Sequence, residues 1–212
     1  MSTSGTDAYD HHAPNDLPPL VRRALTAART HRFPYSCRPE QGRLLYALAG
    51  VTHGPIGETG TGYGVGLAWL VSGAPPGTPV ISVERDPERA ATTAGLFADR
   101  PEVRILTGDW RRTADHGPYD LLVLDGGGTG KTPGDTPADP ASLLAPGGTV
   151  VIDDFSPSRD WPPTHEGAVD LPRLHWLTHP ALHATEVGLA EDLTTVLGRL
   201  TPPAPLAHGV IC

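Results

Sequence analysis

The sequence predicts an α/β fold: a doubly wound, seven-stranded sheet, mostly parallel with an antiparallel last strand, under an N-terminal helical cap. Three observations predict it. Short apolar runs alternate with segments of helical periodicity from residue 56 onward, the signature of a parallel sheet covered on both faces. Glycines cluster at 54–66 and 126–134, around the ends of two of those runs. Carboxylates close several runs, at Glu58, Glu84, Asp125 and Asp153.

Residues 1–16 are polar and proline-punctuated and read as a disordered leader. One domain is expected over 17–200, with 17–50 as its helical cap and 201–212 as a loose, proline-rich tail. Leu17, Leu20, Val21, Ala24, Leu25 and Ala28 recur at helical spacing, so 17–31 is an amphipathic helix. A second helix begins with Pro39 at its first position and stops at Gly50. Strands are expected at 56–58, 79–84, 103–107, 119–125 and 149–153. Helices are expected at 63–71, after the Asp86-Pro87 cap, near 140–144 and at 169–177. The runs 182–189 and 192–199 are joined tightly enough to pair as an antiparallel hairpin.

Composition excludes several classes. With 24 acidic and 16 basic residues the formal charge is −8, and no basic stripe exists, so a general nucleic-acid binder is not expected. No apolar run approaches the roughly 18 residues of a membrane span. The N-terminus lacks the charged start and apolar core of a signal peptide. The two cysteines, Cys37 and Cys212, form no disulfide framework. The expectation is a cytoplasmic protein with a small-molecule partner and no membrane or nucleic-acid partner. Lys131 stands alone among arginines, so its place in the second glycine cluster carries information.

The first cluster, Ile56-Gly57-Glu58-Thr59-Gly60-Thr61-Gly62-Tyr63-Gly64, follows a strand and opens a helix, where doubly wound sheets bind nucleotide-like ligands. The glycines let backbone approach the ligand, and the helix N-terminus favours an anionic group. Glu84 ends the next strand, where a carboxylate can accept both hydroxyls of a ribose. The dinucleotide fingerprint G-x-G-x-x-G is missed, because Val65 takes its third position. The observed E-x-G-x-G-x-G pattern, with Glu58 two residues before Gly60, instead resembles motif I of the class I S-adenosylmethionine-dependent methyltransferases, which are Rossmann-like.

The resemblance extends along roughly 35–200. It implies that Glu58 anchors the methionine ammonium, that Gly60, Gly62, Gly64 and Glu84 hold the cofactor, and that Asp109 and Trp110 bond and stack on its adenine. Within that superfamily the chain resembles the small catechol and caffeoyl-CoA O-methyltransferases, through Ser36–Leu45 and through Asp125 with the pair Asp153-Asp154. The resemblance implies methyl transfer to an oxygen, a reaction centre at these three aspartates, and a homodimer. Three carboxylates at neighbouring strand ends suit a hard cation such as Mg²⁺; the alternative is that they cap loops or touch ligands without metal. In that family a lysine one turn beyond the first aspartate serves as base. Here that position is Gly128, which leaves Lys131 and His165 as candidates beside Asp125. A nitrogen acceptor is equally compatible with the fold.

Rival readings are a nicotinamide-dependent oxidoreductase and a non-catalytic cofactor-binding partner. Asp125-Gly-Gly-Gly-Thr-Gly130-Lys131-Thr132 nearly spells a phosphate loop, but aspartate replaces its first glycine and prolines follow where a helix must open. His175, His179 and His183 are spaced like zinc ligands, but Pro180 interrupts the helix.

Overall fold

The computed structural model describes residues 4–201. Its sheet is built from β1 (Ile56–Thr59), β2 (Val80–Glu84), β3 (Val103–Thr107), β4 (Tyr119–Leu124), β5 (Leu144–Phe155), β8 (Leu182–Ala190) and β9 (Leu193–Leu200), in the order β3-β2-β1-β4-β5-β9-β8. The pairs among β1 to β5 are parallel, whereas β9 runs antiparallel to both β5 and β8. The expected seven strands and the terminal hairpin are therefore present. A separate two-stranded ribbon, β6 (Thr164–His165) and β7 (Ala168–Val169), lies in the loop after β5.

The helices are α1 (Pro19–Thr30), α2 (Pro39–Gly50), α3 (Val65–Gly73), α4 (Pro87–Leu96), α5 (Pro140–Leu143) and α6 (Leu171–Leu177). Alternation along the strands divides the core. Ile56, Leu121, Val123 and Val151 face a cluster completed by α1, α2 and α3, while Leu122, Leu124, Val150 and Ile152 face one completed by Trp176 of α6. Helix α3 is apolar all round and buried from Val65 to Val71. Asp86 caps α4 by accepting from the amides of Glu88 and Arg89, and Asp170 caps α6 from the amide of Arg173.

The expected disordered leader is corrected over its described part. Residues 4–16 form two short 3-10 turns, because one aromatic ties them down. Tyr9 is buried; its hydroxyl donates to the Cys37 carbonyl at 2.8 Å and accepts from Trp69 Nε1 at 2.9 Å. The expected tail, apart from Thr201, lies outside the described residues, as does Cys212. Strand β5 starts at Leu144, five residues before the expected 149, because Leu144 pairs with Tyr119 ahead of an irregularity. Among the described residues no helix is long and apolar enough to cross a membrane.

Candidate active site

The two glycine clusters meet at the C-terminal ends of β1 and β4. Gly60 has φ +86°, and a Cβ there would fall 2.4 Å from the Gly126 Cα. The loops therefore need glycine against each other as well as against any ligand. Gly62 (φ +53°) donates its amide to Glu84 Oε2 at 2.8 Å, and Glu84 Oε1 accepts from the Asp86 amide at 2.9 Å. Gly60, Gly62, Glu84, Asp109, Trp110 and Asp125 all line one open groove.

Two expected cofactor residues sit behind that groove. Gly64 caps α3 with φ +82°, and a Cβ would press on Thr93 Cγ2 at 2.8 Å, so its glycine serves helix packing. Glu58 is 2% exposed and accepts from Ser82 Oγ at 2.5 Å. Its carboxyl is pushed up to about 8 by burial, opposed by the Ser82 bond and reinforced by the Glu84 charge. The Asp109 carboxylate caps a 3-10 turn, accepting from the Arg111 amide and guanidinium, both at 3.0 Å. Those bonds hold it below the usual carboxylate range. Trp110 packs against Gly127 and Gly128, with the Arg111 guanidinium 4.8 Å from its ring centre.

Asp125, Asp153 and Asp154 border a smaller inner pocket, walled on the cap side by Cys37, Arg38 and Gln41. Burial and the charges of Asp153 and Glu58 drive the Asp125 carboxyl well up, with Lys131 opposing. Asp153 is pushed up to about 6 by burial, against the pull of Lys131, and its Oδ1 has no hydrogen-bond partner. Lys131 folds back over this centre. Its Nζ donates to the carbonyls of Asp153 and Asp154 and lies 3.9 Å from the Phe155 ring centre. Burial lowers its pKa against the three aspartates.

The loop carrying Lys131 is ordered by Asp135, which accepts from the amides of Gly128 at 3.0 Å and Gly130 at 2.9 Å. An internal carboxylate thus occupies the anion-binding concavity that a phosphate loop would offer, and the chain continues as coil to Pro140 instead of opening a helix there. Trp176, fully buried, anchors the same loop by donating to the Thr129 carbonyl at 2.9 Å.

Other candidates lie further out. His165 is exposed in the β6–β7 ribbon and lines an outer groove with Lys131, Asp154 and Arg173. Among the described residues no group of three or more His, Cys, Asp or Glu is assembled to hold a metal. The aspartates offer the oxygen donors Mg²⁺ prefers, but they border the pocket without gathering on one point. They do not fit the ion as arranged. His175 and His179 stack edge to face at 5.3 Å. Sequence reasoning missed Cys37 and Gln41 as pocket residues, although both fall in the Ser36–Leu45 segment it singled out.

Residues 58–155 match the family model described as a methyltransferase domain. A Mycobacterium tuberculosis protein named catechol O-methyltransferase is 33% identical over 50% of this chain and 52% of its own length. The chain spans about half the length of the curated relatives it matches first. Two solved structures superpose over 95% of this chain and 99% of theirs. One is the cofactor-bound Rv0187 from MTB, with a TM-score of 0.70 at 22% identity. The other is TomG, an O-methyltransferase of Streptomyces achromogenes in complex with SAM, with a TM-score of 0.68 at 19% identity. At such identities the likeness is one of fold.

Proposed function

We propose that this chain, whose residues 58–155 match a methyltransferase domain within a class I methyltransferase fold, transfers a methyl group from S-adenosylmethionine to an oxygen of a small molecule. One observation carries the reading: Asp125 lies on the wall shared by the open groove and the inner pocket. A cofactor in the groove and an acceptor in the pocket would meet there.

In this reading Glu84 would hold the cofactor's ribose, Asp109 and Trp110 its adenine, and Gly60, Gly62 and Glu58 its methionine end. Gly64 contributes by setting α3. The acceptor hydroxyl faces Asp125, Asp153 and Asp154. S-adenosylmethionine, when bound, would supply an electrophilic methyl group, and Asp125 would take the proton of the acceptor hydroxyl. Burial makes Asp125 a stronger base than an exposed carboxylate, and Lys131 offsets the charge around it. The rest of the work is alignment. His165 meets the outer part of the substrate. The cytoplasmic location and the homodimer belong to the same reading.

Asp125, Asp153 and Asp154 are not gathered around a common point among the described residues, and no step is routed through Mg²⁺. The oxidoreductase reading is disfavoured by Val65, which takes the third glycine's place in the dinucleotide fingerprint, and by the match of residues 58–155 to a methyltransferase domain. Titration calorimetry should give micromolar binding of S-adenosylmethionine and none of NAD(H), and transfer of labelled methyl should persist in EDTA. Binding of NAD(H) alone would defeat the reading. Loss of transfer in EDTA, restored by Mg²⁺, would assign the ion to the three aspartates.

A further inference from the structure

The inner pocket beside Asp125 holds about 20 Å³, room for a single water-sized group. A reacting hydroxyl can enter it, but the rest of an acceptor cannot. The body of the molecule must lie in a neighbouring cavity that the cofactor leaves free. The outer groove, between the second glycine loop, the end of β5 and the start of α6, encloses about 860 Å³, within the range of small-molecule sites. It shares Arg38 and Asp154 with the inner pocket and Thr132 with the cofactor groove, so it is continuous with the reaction centre.

The lining limits the occupant in charge and in size. The basic groups on it are already engaged. Arg38 meets Asp192 at 2.9 Å, and Arg173 meets Asp170 at 3.0 Å and Glu186 at 3.1 Å. Lys131 donates to two backbone carbonyls, and His165 stands 4.0 Å from Glu166. An anionic tail would have to break one of these pairs while facing Asp154, Asp170 and Asp192. Val169 and Leu171, by contrast, line the groove with 44% and 68% of their surface in water, so an apolar body gains by covering them. A cavity of about 150 Å³ already holds benzene. A single ring would therefore leave most of the outer groove to water.

We propose that the outer groove receives the body of the acceptor, and that this body is neutral, apolar and longer than one ring, laid on Val169 and Leu171. The inference rests on the methyltransferase reading of the same site.

The probes are S-adenosylhomocysteine, phenol, 4-phenylphenol and 4′-hydroxybiphenyl-4-carboxylate, titrated into the full chain by calorimetry. Wild type should bind 4-phenylphenol at least tenfold more tightly than phenol and at least fivefold more tightly than the carboxylate. Val169→Asp and Leu171→Asp should each bring the ratio to phenol below threefold while leaving S-adenosylhomocysteine affinity within twofold. Val51→Asp, at a residue 72% exposed and outside the groove, should leave that ratio intact. If one groove variant fails to fold, the other carries the comparison. A ratio unchanged in a folded groove variant, or lowered equally by Val51→Asp, would mark unspecific adhesion and overturn the inference. So would the lack of any preference in wild type, or a carboxylate bound as tightly as 4-phenylphenol. Failure of S-adenosylhomocysteine to bind wild type strikes the cofactor reading instead, and the ratio of 4-phenylphenol to phenol is still measured.

Discussion

At the scale of single residues, Glu58 has the sharpest consequence. Its carboxyl is pushed from 4.5 to about 8, by burial first. The folded state therefore holds this proton more tightly than the unfolded chain does. The stabilisation is complete below about pH 4.5 and is lost as pH rises through about 8. Asp153 acts with the same sign over a lower window, between 3.8 and about 6. The ligand-free protein should lose on the order of a few kcal/mol between pH 5 and about 9 through Glu58. Glu58→Gln should remove most of that loss, seen as urea midpoints that converge at low and high pH. Parallel pH profiles for the variant and wild type would contradict the burial argument. A cofactor ammonium above Glu58 would favour its ionised form, so S-adenosylmethionine should flatten the wild-type slope as well.

Among the elements, the second glycine loop explains how the solitary lysine reaches the aspartate centre from an unexpected position. Gly128 stands where the resemblance places a base, and Lys131 reaches the centre because Asp135 gathers the intervening amides. Asp135→Ala should release the loop. Methyl transfer should fall at least tenfold while cofactor affinity changes little, and stability should drop by about 1–3 kcal/mol for the unpaired amides. Equal losses of cofactor binding and turnover would mean that the loop supports the groove rather than the reaction centre. The alternating elements were legible because β2 and β4 are short apolar runs and α1, α2 and α4 keep an apolar face, while α3, apolar all round, was marked by the glycine loop that opens it. The ribbon β6–β7 was not, since strands of two residues carry no period. Site residues at strand ends were legible by position. The fold-back of Lys131 was not, because it depends on Asp135 and Trp176, which are distant in pattern and adjacent only in space. Asp109 was half legible: its place at the groove was readable, its bonds to Arg111 were not.

For the whole molecule, the sheet order places a topological switch point between β1 and β4, where crossovers depart to opposite faces and a crevice opens at the strand ends. The cap closes that crevice from one side, and residues 4–16 brace the cap. Tyr9 joins the Cys37 carbonyl to Trp69 of α3, while Thr6 Oγ1 donates to Ser36 Oγ at 2.7 Å, so the leader fixes the segment that walls the inner pocket. Removing residues 2–16 deletes a buried aromatic and should cost about 3–5 kcal/mol. For a chain of this size that lowers Tm by roughly 6–20 °C. The truncated protein should keep most of the open groove, to whose lining the segment braced by residues 4–16 contributes only Phe33 and Tyr35. Its KM for S-adenosylmethionine should therefore change less than its KM for the acceptor, whose pocket is walled by Ser36, Cys37 and Gln41. Tyr9→Phe keeps the ring and loses only the bridge, so it should shift the acceptor KM in the same direction with a smaller loss of Tm. An acceptor KM unmoved in both variants would show that the cap holds its position without the leader.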